Sequence, residues 1–477
     1  MHQKKLLVIA VFLTFVIAST ANADKPNIIL VMADDQGWGD MGYNGHKVIQ
    51  TPNFDKAAAA GLKFNRFYAA APVCSPTRAS VLTGRHPNRM GVFKWGYPIR
   101  PQETTLAEAL KTVGYSTAHF GKWHLGSVRA ASPANPGKNG FDEWLSAPNF
   151  YDNDPIMSHR GKAIQTKGES SMVAVDAAIS WIQDKAENDD PFLAVVWFGS
   201  PHSPHRAVQK DREIYSNLPN NKQNFYGEIT GMDRAFGKLR DSLGPLGIRD
   251  NTILWYCSDN GALPKVGSTG GFRGNKSKIY EGGLLVPAIL EWPAKIKLPR
   301  STNIRCNTSD IFPTLMKLAD VQLARQVPLD GISLDSLITG QLKNRPQPMG
   351  FWDYNIKGIN TPSAKWMSEL LEAQESGEEP APHPSSQNAA KLPSPRHKSL
   401  KGHAAWLDGD WKLHRIQASR GSKPRFELYD LANDPFEKGN LAGQEVERVK
   451  TMQKSLDDWM KSVVNSLNGD DYLHKIP

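Results

Sequence analysis

The sequence of 477 residues has few cysteines and, after its first residues, no long hydrophobic run. The three cysteines, Cys74, Cys257 and Cys306, are few and odd in number, which excludes a small scaffold held together by disulfides. Because the rest of the chain lacks an apolar stretch of about 20 residues, stable membrane insertion is not expected. The chain also lacks internal repeats, an arginine-rich stripe and any nucleic-acid-binding motif, so nucleic acid is not an expected partner.

The N-terminus has the pattern of a secretory signal peptide. Lys4 and Lys5 precede an apolar run over residues 6–18, and the small residues Ala21 and Ala23 suit cleavage after position 23. We therefore predict a signal peptide at residues 1–23 and an exported protein, either periplasmic or secreted. An uncleaved N-terminal anchor is the less favoured alternative.

The net charge of the chain is positive. Lysines and arginines number 57 and acidic residues 48, which gives a formal charge of +9. A positive balance is compatible with an anionic substrate such as a sulfated polymer. A basic surface that only keeps the protein in solution explains the charge equally well.

Residues 24–345 alternate short apolar runs with helical patterns, as expected of one large α/β domain. The pattern predicts strands at Asn27–Met32, Ser116–Phe120, Phe192–Phe198 and Thr252–Cys257, and helices at Thr105–Val113 and Met172–Lys185. Continuous apolar strands are typical of parallel sheets that are buried on both faces. The alternation therefore favours a large, mostly parallel sheet sandwiched between helices.

Residues 346–477 predict a smaller C-terminal subdomain. Strand patterns at Met349–Tyr354, Ala404–His414 and Phe426–Asp430 and one amphipathic helix at Glu445–Leu467 favour an antiparallel sheet with a packed helix. An insertion at about 355–403 is rich in Pro, Ser, Glu and Lys. It is either disordered, which its composition favours, or a loop across the mouth of an active site.

Two acidic pairs follow directly on predicted strands. Asp34 and Asp35 follow the first strand, and Asp259 and Asn260 follow the strand at 252–257. Ligands of open α/β sheets bind beyond the carboxyl ends of the strands, so both pairs could surround one site. Three carboxylates and an amide suit a hard divalent cation, Ca²⁺ or Mg²⁺. Either pair alone could simply cap a helix or form a turn; together they favour a metal.

A cysteine stands at the start of a predicted helix. Cys74 is followed by Pro76 in the first turn and by Arg78 one turn on. A helix N-terminus with a nearby cation can bind an anion or stabilise a thiolate. A buried structural cysteine at a helix cap is the alternative.

The run from Cys74 to Arg85 (CSPTRASVLTGR) closely resembles the signature of the formylglycine-dependent (type I) sulfatases. The similarity extends over nearly the whole mature chain and includes Asn27–Tyr43, Gly121–Gly126, Asp259–Gly261, Phe272–Gly283 and Glu427–Leu441. Around Lys276 the chain has Gly-Asn-Lys-Ser where the family often has Gly-Gly-Lys-Gly. The resemblance implies an alkaline-phosphatase-like fold and hydrolysis of a sulfate ester.

The resemblance also implies a modified nucleophile and a metal. Cys74 would be oxidised to Cα-formylglycine by a formylglycine-generating maturation enzyme. One hydroxyl of the hydrated aldehyde would attack sulfur, and the second would expel the sulfate. A Ca²⁺ ion, with Mg²⁺ as the alternative, would be bound by Asp34, Asp35, residue 74, Asp259 and Asn260.

The implied catalytic residues are Cys74, Arg78, Lys122, His124, His202 and Lys276. Arg78 would hold the diol, while Lys122 and Lys276 would neutralise sulfate oxygens. His124 would take a proton from the second hydroxyl, and His202 would contact the substrate and protonate the leaving alcohol. His205 is a rival for that last role.

The substrate is indicated less directly. Gly140–Trp144 and Ser146–Asn149 resemble N-acetylgalactosamine-6-sulfatases, as do several residues from Trp459 to Tyr472. This favours a 6-sulfated galactose or N-acetylgalactosamine unit of a polysaccharide or glycosaminoglycan. Asn149 and Asp152 are candidate substrate contacts, although a loop beside a helix explains them as well.

Two other functions compete with this prediction. A phosphonate monoester or phosphodiester hydrolase of the same superfamily could use the same aldehyde. A non-catalytic sulfoglycan-binding relative is the second alternative, and the presence of Cys74, His124 and Lys276 argues against it.

Overall fold

A computed structural model of the chain describes residues 25–323, 327–378, 389, 391–419 and 421–472. The predicted signal peptide at residues 1–23 lies outside this part of the chain. Within it, none of the helices combines the length and the apolar character that a membrane span requires.

The larger of two sheets contains eleven of the strands in the described residues. They are β1 Asn27–Ala33, β2 Leu62–Tyr68, β3 Ser116–Lys122, β4 Glu143–Ala147, β5 Ile156–His159, β6 Lys162–Gln165, β7 Phe192–Trp197, β8 Thr252–Ser258, β9 Leu285–Glu291, β10 Arg300–Thr302 and β11 Cys306–Asn307. Their order is β10-β2-β9-β8-β1-β7-β3-β4-β5-β6, and β11 pairs with β2. The central strands β8, β1, β7, β3 and β4 are parallel, whereas β9, β5 and β6 run antiparallel to their neighbours.

Helices cover both faces of this sheet. They are α1 Pro52–Ala60, α2 Cys74–Thr83, α3 Leu106–Lys111, α4 Ser170–Glu187, α5 Gln209–Glu213, α6 Asn220–Ser242, α7 Glu281–Leu284, α8 Ile311–Leu318 and α9 Asp335–Ile338. In β7 every residue is buried because Leu193 and Val195 belong to the core with α2, α3 and α8, while Ala194 and Val196 belong to the core with α1, α4 and α6. This two-sided burial explains the continuous apolar run.

The smaller sheet is antiparallel and contains β12 Met349–Asp353, β13 Gly402–Asp408, β14 Trp411–Gln417 and β15 Arg425–Asp430, in that order. The prediction of one strand at Ala404–His414 is wrong: the chain turns at Gly409, where φ is 54°, and forms a hairpin. Helix α10 (Ser363–Ser376) lies between β12 and β13 in the chain, and helix α11 (Val446–Leu467) packs on one face of this sheet through Leu456 and Met460. The predicted α/β class with a small antiparallel sheet is thus confirmed.

Buried charges join the small sheet to the large one. Lys412 Nζ lies 2.8 Å from Glu281 Oε1 and 3.1 Å from Glu437 Oε1. Tyr68 OH donates to Glu281 Oε2 at 2.9 Å, and His414 Nε2 lies 2.7 Å from Glu437 Oε1. We call these five residues the junction cluster. Because Glu281 begins α7, the cluster fixes the end of the loop that carries Lys276.

Candidate active site

The register of the central strands brings the two acidic pairs together. Ala33 at the end of β1 pairs with Ser258 at the end of β8, so Asp34 and Asp259 each follow a paired residue. The Asp35 N–H donates to Asp259 Oδ1 at 3.0 Å. Both acidic pairs are buried and lie at one edge of the sheet, as the sequence pattern predicts.

Cys74 is the first residue of the wholly buried helix α2 and faces the carboxylates. Its Sγ lies 3.5 Å from Asp34 Oδ1 and 3.9 Å from Asp35 Oδ1. Burial raises the pKa of the Cys74 thiol well above its usual value, although Lys122 and Lys276 act in the opposite direction. An unmodified Cys74 is therefore a neutral thiol, which is a poor nucleophile.

Arg78 is buried one turn further along α2. Its Nε and one terminal NH₂ group donate to Asp259 Oδ2 at 3.1 and 2.7 Å, and the other NH₂ group donates to the Lys122 carbonyl at 3.2 Å. The guanidinium lies 5.1 Å from the Trp197 ring centroid. Arg78 thus holds Asp259 and the end of β3 in place, and its role in holding the diol of residue 74 stays a prediction.

Two lysines pair with the two aspartates that follow β1. Lys122 Nζ lies 2.6 Å from Asp34 Oδ2, and Lys276 Nζ lies 2.6 Å from Asp35 Oδ2. Burial raises the pKa of the Asp34 carboxyl to about 7, against the opposing charge of Lys122. Burial acts the same way on Asp35, but Lys276 and then His202 outweigh it and hold the pKa of that carboxyl well below its usual range.

The loop that carries Lys276 is fixed beside Cys74 by backbone hydrogen bonds. Lys276 N–H donates to the Ala262 carbonyl at 2.9 Å, and Ser277 N–H donates to the Pro72 carbonyl at 2.8 Å. Ser277 has a φ of 73°, in the region that favours glycine. The chain therefore keeps a left-handed conformation at the position where the family often has glycine.

His124 and His202 both line the site. The buried His124 ring has no hydrogen-bond partner at either nitrogen within the described residues, and burial together with Lys122 holds its pKa well below the usual value. The His202 ring stacks on Phe150 at 4.4 Å, and its Nε2 lies 3.6 Å from Asp35 Oδ2. Burial lowers the pKa of His202 to about 3 in spite of the Asp35 charge.

His205 points elsewhere. Its Nδ1 lies 3.3 Å from Glu228 Oε2, and its ring packs edge-on against Phe225. Of the two histidines considered for the leaving group, His202 is the one that lines the cavity with Cys74.

The donor set fits a divalent cation. Asp34, Asp35, Cys74 and His202 each offer one atom, and these atoms lie within 4.8 Å of one another. Asn260 Nδ2 donates to Asp35 Oδ1 at 2.9 Å, while Asn260 Oδ1 is buried without a hydrogen-bond partner among the described residues. A buried acceptor next to two carboxylates matches the oxygen ligands that hard cations prefer.

These side chains open into a cavity of about 690 Å³ that is lined by Cys74, Trp95, His124, Asn149, Phe150, His202, Lys276, Ser277 and residues 360–365. Asn149 lines the cavity, with its Nδ2 donating to the Thr361 carbonyl at 3.1 Å, and its role as a substrate contact stays a prediction. Asp152 is not among the residues that line it, and its carboxylate lies 3.5 Å from Arg206.

Sequence reasoning missed Trp95 and Phe150, and for the insertion that contains residues 360–365 it favoured disorder over a position at the mouth of the site. Disorder, which the composition of the insertion favours, is wrong for Ser363–Ser376, which forms helix α10. The described part of the insertion instead fits the alternative of a segment at the mouth of the site. Phe150 could have been suspected from its neighbour Asn149, whereas no local pattern indicates Trp95.

Comparisons with known proteins agree with this geometry. The chain matches the sulfatase family over residues 26–321. It is 33% identical over 366 residues to N-acetylgalactosamine-6-sulfatase from Mus musculus, covering 67% of this chain and 68% of that protein. Arylsulfatase A from Homo sapiens is 30% identical over 473 residues, covering 89% of this chain and 85% of that protein.

A solved structure supports the fold. Ps i-CgsB in complex with k-i-k-neocarrahexaose matches with a TM-score of 0.76 and 22% identity over 94% of this chain and 98% of that chain. At this identity the likeness concerns the fold alone, which is the expected alkaline-phosphatase-like one. Family match, relatives and fold lead to one conclusion: the chain belongs to the sulfatase family and hydrolyses sulfuric esters.

Proposed function

We propose that the chain removes sulfate from a sulfated sugar of a polysaccharide or glycosaminoglycan, with Cys74 converted to Cα-formylglycine by a formylglycine-generating enzyme. The observation that carries the proposal is that Cys74 opens a buried helix and faces Asp34, Asp35 and two histidines in one cavity. The name of the murine relative, N-acetylgalactosamine-6-sulfatase, supports a 6-sulfated N-acetylgalactosamine or galactose. The signal-peptide pattern supports action after export, in the periplasm or outside the cell.

The proposed modification resolves a chemical difficulty at residue 74. The thiol is buried beside two carboxylates, and its raised pKa leaves little thiolate for attack. The hydrated aldehyde would supply two hydroxyl groups, one to attack sulfur and one to release the sulfate. Serine at this position could attack but has no second hydroxyl.

A cation, Ca²⁺ or alternatively Mg²⁺, would be held by Asp34, Asp35, residue 74, Asp259 and Asn260. When bound it would draw charge from sulfate oxygens and lower the pKa of a hydroxyl on residue 74. The unpartnered Asn260 Oδ1 supports this ligand set. Asp259 would contribute through a carboxylate that Arg78 already orients.

Lys122 and Lys276 would bind the sulfate oxygens. Each ammonium group is 2.6 Å from an aspartate that the proposal assigns to the cation. When a cation also binds those carboxylates, it neutralises part of their negative charge. Both ammonium groups can then interact with the sulfate oxygens of an anionic ester. Arg78 would keep Asp259 and the end of β3 in their relative positions through its hydrogen bonds to both.

The two histidines would move protons in opposite directions. His124 has no partner at either ring nitrogen and a low pKa, so it is a neutral imidazole that can accept a proton from residue 74. His202 Nδ1 is 2.6 Å from the Ser203 carbonyl and must donate to it, which leaves Nε2 to face the site. A bound anionic ester beside Nε2 would raise the His202 pKa and favour the imidazolium that protonates the leaving alcohol.

The test is sulfate release from galactose 6-sulfate, N-acetylgalactosamine 6-sulfate and N-acetylgalactosamine 4-sulfate, beside hydrolysis of an aryl sulfate and an aryl phosphodiester. We expect a higher kcat/KM for the aryl sulfate than for the diester and sulfate release from a 6-sulfated sugar. Preference for the diester would favour the phosphodiesterase alternative. Sugar binding without any sulfate release would favour the non-catalytic one.

The variants Cys74→Ala and Cys74→Ser sharpen this test. Both are expected to abolish turnover, and the serine variant is expected to retain a covalently bound sulfate, because its single hydroxyl cannot release it. Full steady-state activity of Cys74→Ser would contradict the requirement for two hydroxyl groups.

A further inference from the structure

Trp95 is a partly exposed aromatic side chain in the wall of the active-site cavity. Its exposed fraction is 38%, which makes it one of the few large apolar side chains at the surface of the described residues. It lines the same cavity as Cys74, His124 and Lys276. Lys94 Nζ lies 5.8 Å from the centroid of the ring. The part of the indole that stays exposed in the cavity is a suitable contact for the body of a substrate.

Two glycines allow the insertion to pack closely against the loop that carries Trp95. A Cβ at Gly358 would lie 2.2 Å from the Trp95 ring, so only glycine lets the backbone of the insertion lie against the indole. Ile359 N–H donates to the Trp95 carbonyl at 2.9 Å. Gly96 has a φ of 80°, and a Cβ there would lie 2.1 Å from the Ile359 carbonyl oxygen. The insertion and the Trp95 loop are therefore closely packed, with no side chain between them.

The loop that carries Trp95 is hydrogen-bonded to Ser75, the residue that follows Cys74. Gly96 N–H donates to Ser75 Oγ at 2.8 Å, and Ser75 is the second residue of α2. The position of Trp95 relative to residue 74 is thus set by one hydrogen bond to the buried helix. A substrate ring in contact with Trp95 would be placed at a defined distance from the reacting sulfur.

Asn149 offers a polar contact in the same cavity. Its Nδ2 donates to the Thr361 carbonyl at 3.1 Å, which fixes the orientation of the amide. Its Oδ1 is buried without a partner within the described residues. An acceptor oriented in this way can receive a hydrogen bond from a hydroxyl group.

We infer that Trp95 and Asn149 form the subsite for the sugar ring that carries the sulfate. The pyranose ring would pack its C–H groups on the indole, and a ring hydroxyl would donate to Asn149 Oδ1. Residues 358–361 of the insertion hold both contacts in place. The inference rests on the proposed function and deepens it by naming the residues that bind the sulfated pyranose ring.

The experiment uses whichever sulfated sugar of the panel above the wild-type enzyme desulfates fastest. Trp95→Ala is expected to raise KM about tenfold with kcat within about twofold, as for loss of binding shared by ground and transition states. Trp95→Phe keeps an aromatic surface and is expected to restore most of the affinity. Inorganic sulfate would contact the lysines and residue 74 and not the indole, so inhibition by it is expected to be unchanged in both variants.

Gly358→Ala is a second variant in case Trp95→Ala folds poorly. It keeps the indole but shifts its position, because the added Cβ would lie 2.2 Å from the ring, and it is also expected to raise KM without changing sulfate inhibition. Trp411→Ala is the matched control, because Trp411 packs against Arg448 and is not among the residues that line the cavity.

The failures of the subsite and of the proposed function are distinguishable. If the wild type releases sulfate from a sugar but Trp95→Ala and Gly358→Ala keep its KM within about twofold, the subsite is wrong and the function stands. If the wild type desulfates none of the sugars, both proposals fall. Weaker sulfate inhibition in Trp95→Ala would mean that Trp95 supports the catalytic centre instead, which would also overturn the subsite.

Discussion

This molecule contains two buried clusters of charged side chains. They have similar composition, but they differ in whether buried polar atoms in or beside them lack a hydrogen-bond partner. The site cluster contains Asp34, Asp35, Asp259, Arg78, Lys122 and Lys276. The junction cluster contains Tyr68, Glu281, Lys412, His414 and Glu437. Both place carboxylates against cations away from water, where an unpaired charge is costly.

The two clusters differ in the buried polar atoms that lack a hydrogen-bond partner. Each side-chain nitrogen and oxygen of the junction cluster has a hydrogen-bond partner or is exposed. Beside the site cluster, both nitrogens of His124 and the Oδ1 of Asn260 are buried without one in the described part of the chain. A closed network stabilises the fold, whereas unsatisfied atoms that surround a cavity indicate a ligand. The presence of buried charge alone does not distinguish the junction cluster from the site cluster.

Removing the cation of the junction cluster should have the largest effect on stability. Lys412→Met leaves Glu281 and Glu437 buried together without the charge that separates them, and we expect a loss of about 3–5 kcal/mol in the free energy of unfolding. Denaturant unfolding measures this loss. The exposed Lys454→Met, which removes a surface pair on α11, is the control and should change stability by less than about 0.5 kcal/mol. Equal effects of the two substitutions would remove the distinction between the clusters.

Removing a charge from the site cluster should lower activity more than it lowers the free energy of unfolding. Asp35→Asn keeps the shape, and asparagine tolerates the φ of 69° at this position. We expect kcat/KM to fall by about 10²–10³-fold, because a charge that binds the cation is lost. The free energy of unfolding should fall by less than in Lys412→Met, since Lys276 is only partly buried and can turn toward the open cavity.

The control for Asp35→Asn is Asp184→Asn, at an exposed carboxylate on α4. Activity of Asp35→Asn at the level of this control would contradict the assignment of Asp35. A loss of stability as large as that of Lys412→Met would mean that the charge of Asp35 serves mainly to stabilise the fold.

Metal addition should distinguish the clusters in the intact protein. Ca²⁺ at about 100 times its Kd should stabilise the fold by about 2.7 kcal/mol, because it binds the folded site and not the unfolded chain. Thermal unfolding with Ca²⁺, with Mg²⁺ and with a chelator measures the shift. The gain should persist in Lys412→Met and disappear in Asp35→Asn. No shift with either ion in the wild type would contradict the metal site.

The smallest expected effect concerns protons at the junction. His403 Nε2 lies 2.9 Å from His414 Nδ1, and burial, followed by nearby positive charge, holds the pKa of both well below 6.5. The unfolded chain takes up protons below about pH 6.5 and the folded chain does not, so stability is present above that pH and is lost as pH falls. Each histidine contributes a slope of about 1.4 kcal/mol per pH unit.

The variant that tests this slope is His403→Phe. The stability of the wild type relative to this variant should decrease as the pH is lowered from 7 to 5, as measured by urea unfolding. A difference that stays constant with pH, or that grows on acidification, would mean that His403 is not held neutral.

Much of the site could be predicted because it depends on regular features. Asp34 and Asp259 follow apolar strands whose parallel pairing is dictated by burial on both faces, so their proximity follows from the sheet. Cys74 and Arg78 are one turn apart on a helix, which local spacing determines. The same reasoning gave the small sheet but missed the turn at Gly409, although Asp408 followed by Gly409 between apolar residues is itself a signal for a hairpin.

The remaining part of the site depends on contacts between distant segments. Trp95 meets Gly358 and Asn149 meets Thr361 only in the folded chain, and no local pattern in either segment indicates the contact. Composition pointed to disorder for a segment that in fact forms α10 and lines the cavity. Polar composition lowers the intrinsic tendency to fold, but packing against an existing wall can overcome it.

The most direct test is mass spectrometry of the peptide that carries residue 74, taken from preparations whose sulfatase activity has been measured. The account predicts the mass of an aldehyde or its hydrate at residue 74, in a fraction that rises in proportion to specific activity. A fully active preparation in which residue 74 is an intact cysteine would contradict it.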